Sequence, residues 1–139
     1  MSKIYKFALV FILALTFFID FSEGLFDLGH VKVRVNNTLS NGKKLLIHCK
    51  SKDNDLSTVE VAHLHVYNFT ISKSFWGDTS FFCDVFFGNE MHWFNVFNQQ
   101  RDAEFCHKTC YYEVRESKVC KYMKRFLDIV EDCYYWKKE

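Results

Sequence analysis

Proline is absent from all 139 residues, and no physical account of that absence presents itself. Excess charge is absent as well: 18 Lys and Arg stand against 17 Asp and Glu, a net +1. That balance supplies no basic face for nucleic acid, and the chain carries no acidic or basic tail of any length. Repeats and low-complexity segments are missing too. Beyond the first two dozen residues, no apolar run approaches the roughly 20 residues that a bilayer-spanning helix needs.

What is present begins with a leader. Lys3 and Lys6 make a positive start, and residues 7–19 are apolar apart from Thr16. Ser22 and Gly24 are small residues at the −3 and −1 positions for cleavage after Gly24. This layout predicts a secretory signal peptide over residues 1–24, not an anchor, because the apolar run is too short to span. The mature chain is then 25–139, one domain with one modest core. The leader removes two lysines and two acids, so the charge stays at +1.

Aromatic residues make up 19% of the chain, and Phe alone numbers 16. Such side chains bury large areas and favour pleated, half-buried surfaces. The cysteines, Cys49, Cys83, Cys106, Cys110, Cys120 and Cys133, all follow the leader. An even number in an exported chain predicts a disulfide framework, each bridge contributing about 2–4 kcal/mol. The residues alone do not choose among the many pairings.

Val31, Val33 and Val35 alternate with Lys32 and Arg34, the period of a strand with one buried face. Asn41-Gly42 follows, then Leu45, Leu46 and Ile47. Asn-Gly suits a tight turn in which both residues take positive φ, so 31–50 is predicted to be a hairpin. Residues 51–57 read as a polar loop and 61–71 as one or two strands. The stretch 72–79 reads as a connection and the Phe-rich 80–87 as a buried central strand. Gly88-Asn89-Glu90 reads as a turn, 91–97 as the returning strand, 98–108 as loop and 110–116 as a further strand. Short strands with regular turn signals predict an all-β, two-sheet β-sandwich.

The end of the chain reads differently. Met123, Phe126, Leu127, Val130 and Tyr134 fall at helical spacing, with charged residues between them. A short C-terminal helix packed on the sandwich is predicted. Its polar side mixes both signs, unlike the basic side of a membrane-surface helix.

A set of these residues forms a pattern: Val33-x-Val35-Asn36-Asn37-x-Leu39, then Leu45-x-Ile47-His48-Cys49-Lys50-Ser51-Lys52-Asp53-x-Asp55-Leu56. Thr79-x-Phe81-Phe82-Cys83, Trp93, Phe97, Arg101-Asp102, Cys106 and Cys110 continue it. The pattern resembles the plant self-incompatibility S-protein homologue family over residues 31 to about 119. The resemblance implies a small secreted β-sandwich with intramolecular disulfides. It also implies an extracellular signalling ligand for a membrane protein on another cell, with rejection of self pollen as one such role. Strand order within it suggests the bridges Cys49–Cys110 and Cys83–Cys106, leaving Cys120–Cys133 to close a loop over the helix. Three features depart from the family. Ser57 stands where Gly usually follows Asp-Leu, Tyr112 stands where Trp is common, and the tail is longer.

Some of the same residues also admit a metal-binding or catalytic reading. Cys106-His107-x-x-Cys110 and His63-x-His65 offer zinc ligands, but the spacing matches no standard finger, and an oxidising compartment favours disulfides. His48 and Cys49 are neighbours on a strand and point to opposite faces, so they form no dyad, and an even cysteine count leaves no free thiol. Asp53 and Asp55 lie in a polar loop without an apolar pocket to raise a carboxyl pKa. The expectation is therefore no enzyme, no metal, no cofactor, no small-molecule substrate and a monomer. A secreted defence protein acting on membranes is the first alternative, disfavoured by the +1 charge; a secreted hydrolase is the second. Asn36-Asn37-Thr38 and Asn68-Phe69-Thr70 are glycosylation sequons, predicting glycans at Asn36 and Asn68. Phe81, Phe82, Phe86, Phe87, Trp93, Phe94 and Phe97 are read as core. Partner binding is assigned to loops, with Asp53, Asp55, Trp76, Arg101 and Asp102 as candidates.

Overall fold

In the computed structural model, which describes residues 4, 6–15, 29–73, 77–102, 106, 108–125 and 127–137, the alternating segments become nine strands. They are β1 (His30–Asn37), β2 (Leu45–Lys50), β3 (Asp55–Val61), β4 (Val66–Ser72), β5 (Ser80–Phe87), β6 (Glu90–Asn98), β7 (Thr109–Val114), β8 (Lys118–Arg125) and β9 (Asp128–Tyr135). A five-stranded sheet runs β4-β1-β7-β8-β9 and a four-stranded sheet β3-β2-β5-β6. Only the β1–β7 pair among these is parallel. Val31, Val33 and Val35 from one sheet and Leu45, Ile47 and Val85 from the other are fully buried between the layers. Burying each such side chain contributes about 1.5–3 kcal/mol. Tyr112 on β7 reaches across, its hydroxyl donating to the Val96 carbonyl on β6 at 2.7 Å.

The two-sheet architecture is as expected, but the predicted C-terminal helix is not there. Residues 118–135 form the β8–β9 hairpin, with Cys120 directly opposite Cys133. The helical spacing is a coincidence of composition: Leu127 is 98% exposed at the turn and Ile129 75%, so among the described residues no apolar stripe collects on one side. The edge of β7 offers β8 a ladder over Tyr111–Val114, and a helix would leave that edge unpaired.

The predicted hairpin over 31–50 is also corrected. Asn41 and Gly42 do take positive φ, 58° and 66°, as their chemistry demands. Yet β1 is flanked on both sides by β4 and β7, so the turn carries the chain from one sheet to the other. The fully buried Asn37 holds this crossover. Its side-chain nitrogen donates to the Lys43 and Val61 carbonyls at 2.9 and 3.0 Å, and its oxygen accepts the Leu39 N–H at 3.0 Å. Region 61–71 divides into the end of β3 and β4, turning at Leu64 with φ 64°. The polar loop after β2 is shorter than expected, because Asp55 already pairs with Lys50.

Among the described residues the bridges are Cys49–Cys83, Cys106–Cys110 and Cys120–Cys133. The pairings Cys49–Cys110 and Cys83–Cys106 are thus wrong. Cys49 and Cys83 are directly opposite on β2 and β5, at a Cα separation of 4.0 Å, whereas Cys110 lies in the other sheet. Residues 6–15 are helical, and no helix among the described residues is long and apolar enough to cross a membrane.

Candidate functional site

Strand alternation sends Phe81, Cys83, Val85 and Phe87 of β5 inward and Phe82, Asp84 and Phe86 outward. On β6 the same rule turns Phe94 and Val96 inward and Met91, Trp93 and Asn95 outward. Three of the aromatics expected in the core, Phe82, Phe86 and Trp93, therefore stand on the outer surface; Trp93 is 67% exposed. The Phe-rich composition had hidden a period of two in which both parities are apolar.

The register assembles these residues into a face. One cross-strand row reads Glu60, Leu46, Phe86, Met91; the next reads Thr58, His48, Asp84, Trp93; the third reads Asp55, Lys50, Phe82, Asn95. Leu46, Phe86 and Met91 are contiguous and exposed. The charges among them are paired within the face. Lys50 Nζ lies 3.6 Å from Asp84 and 5.4 Å from the Phe82 ring centroid, and His48 Nε2 is 2.5 Å from Asp55. The His48 bond, and then the Ser57 N–H, hold the Asp55 carboxyl below its ordinary value.

Of the loop residues singled out from sequence, Asp53 is exposed beside β2, and Trp76 lies outside the described residues. Asp55 and Arg101 belong to opposite ends of the third row: Asp55 opens β3, and Arg101 donates to the Asn95 carbonyl at 3.0 Å. Asp102 is not available to a partner. It has no exposed surface and sits in a short helix, Gln99–Asp102, capped by the Asn98 side-chain oxygen on the Gln100 and Arg101 N–H groups. Arg101 donates to both Asp102 oxygens at 2.9 and 2.7 Å, and buried Lys121 pairs with the same carboxylate. Burial alone would raise the Asp102 pKa. The bonds from Arg101, Lys121 and the Asn98 N–H outweigh it and hold the carboxyl below its usual range. Lys121, on a strand misread as the approach to a helix, gave no sequence signal. Tyr112 is pushed in the other direction, upward, by burial and by the Asp102 charge.

The five-stranded sheet presents a different outer face. Lys32, Arg34 and Asn36 of β1 and Asn68 and Thr70 of β4 point outward. Both sequon asparagines are on this side. Asn68 is exposed on an edge strand. Asn36 is half-buried, and its side-chain oxygen finds no hydrogen-bond partner among the described residues. The third disulfide, Cys120–Cys133, brings Glu131 close enough that the three groups could ligate a cation, but both sulfurs are consumed in the bridge.

Comparison with known proteins places these observations in a family. The family model for plant self-incompatibility protein S1 matches residues 32–136. S-protein homolog 19 of Arabidopsis thaliana is 32% identical over 125 residues, 90% of each chain. Self-incompatibility protein S1 of Papaver rhoeas is 33% identical over 107 residues, 76% of each chain. A solved structure from a family described as small, highly stable, secreted proteins from plants superposes with a TM-score of 0.57 at 14% identity. It covers 78% of this chain and 96% of its own, and at that identity it speaks to the fold.

Proposed function

This chain belongs to the plant self-incompatibility protein S1 family, and from that premise we propose that it is an exported protein ligand for a membrane protein on another cell. The observation that carries the reading is a run of exposed apolar side chains on a sheet face that carries no sequon. Leu46, Phe82, Phe86, Met91 and Trp93 are exposed on the outer face of one sheet, and both sequons are on the other. Contiguous exposed apolar surface on a small protein marks a contact site, and aromatic residues with Met are favoured at interface centres. Glycans at Asn36 and Asn68 would cover the opposite side and leave this face open. Export requires removal of residues 1–24 in this reading, and rejection of self pollen is the family role that it would fit.

The ligand acts by binding. Its described cysteines are all bridged, which removes thiol nucleophiles, and the one fully buried carboxylate among the described residues, Asp102, is held ionised between two cations. The test is saturable binding of the labelled, exported chain to intact plant cells, pollen included, before and after the cells are stripped with protease. Binding that disappears with the stripped proteins supports the reading. Binding that survives stripping points to lipid and overturns it, as does no saturable binding to any cell type.

A further inference from the structure

We propose that the cleft between edge strands β6 and β9 is a binding site for a small, flat aromatic anion. Its volume is about 610 Å³, inside the roughly 300–1,000 Å³ of small-molecule sites. Six of its lining residues are aromatic: Trp93, Phe94, Tyr112, Tyr134, Tyr135 and Trp136. Two cations, Arg101 and Lys137, also line it, and among the described residues no carboxylate does.

Five polar side chains of the walls are already used by the fold. The Tyr112 hydroxyl donates to Val96, the Trp136 indole N–H to the Arg115 carbonyl at 3.1 Å, and the Tyr134 hydroxyl to Asp132 at 2.9 Å. His92 Nε2 is bonded to Glu90 at 3.1 Å. With its amide turned to satisfy both ends, Asn95 donates to the Phe81 and Phe97 carbonyls. What remains for a guest is chiefly ring faces and positive charge, with the Trp93 indole N–H and the Tyr135 hydroxyl as donors. A sugar, which needs free donors and acceptors, finds few; a planar ring carrying a carboxylate finds both of its requirements.

The site is also preformed. Trp136 is fixed by its backbone N–H on the Ser117 carbonyl and stacks on His92 at 4.8 Å with the rings 7° from parallel. A rigid wall lowers the ordering cost of binding. Arg101 is fixed too. Its Nε and Nη2 hold Asp102 and the Asn95 carbonyl, while Nη1 takes no part in these bonds. Asp102 is shared by Arg101 and Lys121, so the trio keeps one net positive charge, to which Lys137 adds another. Asp132 and Glu90 bond the wall residues Tyr134 and His92 but do not themselves line the cleft.

The test is calorimetric titration of the exported chain with 2-naphthoate, 2-naphthalenemethanol and 2-naphthylmethylammonium, which share a ring system and differ in charge. The naphthoate should bind tightest, about tenfold or more over the ammonium, a difference of about 1.4 kcal/mol. Lys137→Glu, at an exposed position, should narrow that gap about twofold or more. Tyr135→Ala, also exposed, should weaken all three probes. Thermal unfolding of both variants, expected at the wild-type temperature, excludes a folding artefact. The proposal is overturned if naphthoate gives no saturable heat up to about 10 mM. It is equally overturned if the ammonium binds as well as the naphthoate, or if neither substitution changes naphthoate affinity.

Discussion

The two outer faces of the sandwich obey the same alternation and carry their apolar side chains differently. Outside the five-stranded sheet stand Lys32, Arg34, Asn36, Asn68 and Thr70; outside the four-stranded sheet stand Leu46, Phe82, Phe86, Met91 and Trp93. A sheet needs only its inner face to be apolar. On the first sheet the exposed apolar side chains, Val66, Tyr111 and Ile129 among them, are interleaved with Lys32, Arg34 and Glu131. The second keeps Leu46, Phe86 and Met91 contiguous where folding does not require them, the feature on which the proposed contact rests. Its polar groups are also partnered, Lys50 with Asp84 and His48 with Asp55, which lowers the cost of removing water from it.

The sharpest way to break this comparison is to show that stability, too, divides between the sheets, and the largest effect should say that it does not. Lys121 of the five-stranded sheet pairs with Asp102, which follows the last strand of the four-stranded one. Lys121→Met leaves a buried carboxylate one cation short and should cost about 3–5 kcal/mol in urea unfolding. The native pair carries a pH signature. The Asp102 pKa is depressed, so its contribution is fully present above the unfolded value of about 4 and is lost as pH falls below it. Between pH 7 and 5 this group should leave stability level, and the midpoint should fall only in more acid solution.

The two cross-strand bridges compare the sheets directly. Cys49–Cys83 spans 34 residues and Cys120–Cys133 spans 13. Replacing both cysteines by serine should cost about 4 kcal/mol for the first and about 3 kcal/mol for the second on loop-closure grounds, read as unfolding midpoints. Function should divide where stability does not. Trp93→Asp should weaken binding to cells by about 2 kcal/mol, roughly thirtyfold, whereas Asn68→Gln on the other face should change it less than about threefold. Equal losses would erase the distinction between the faces.

The smallest effect sharpens one detail of the four-stranded sheet. Ser57 sits in the β2–β3 bulge with φ 64°, a conformation that costs an L-residue about 1–2 kcal/mol and that glycine adopts freely. Its N–H bonds Asp55 at 2.9 Å. Ser57→Gly should therefore stabilise the protein, by about 0.5–1 kcal/mol once the extra freedom of the unfolded glycine is set against the relief. A lower unfolding midpoint would mean that the Ser57 backbone is not strained. The departure from the family pattern noticed in the sequence is thus a site of modest strain. A second departure, Tyr112, places a hydrogen bond between the sheets where Trp is common.

Local pattern alone determined a good deal of this protein. Val31, Val33 and Val35 announce β1, Gly88-Asn89 announces the β5–β6 turn, and the run from Val33 to Cys110 identifies the family, because each of these signals is written in neighbouring residues. The tertiary structure decided the rest. Whether Asn41-Gly42 closes a hairpin or carries the chain across depends on β4 and β7 claiming both edges of β1. Which cysteines meet depends on β2 and β5 being neighbours. Whether residues 118–135 coil or pair depends on a free edge on β7. The same holds for the cleft and for the Asp102–Lys121 pair, whose members come from segments far apart in the chain. Periodicity reports which side of a strand is apolar; it carries no information about what lies across from it, and where both sides are apolar, as on β5, only the packed layers reveal which one faces water.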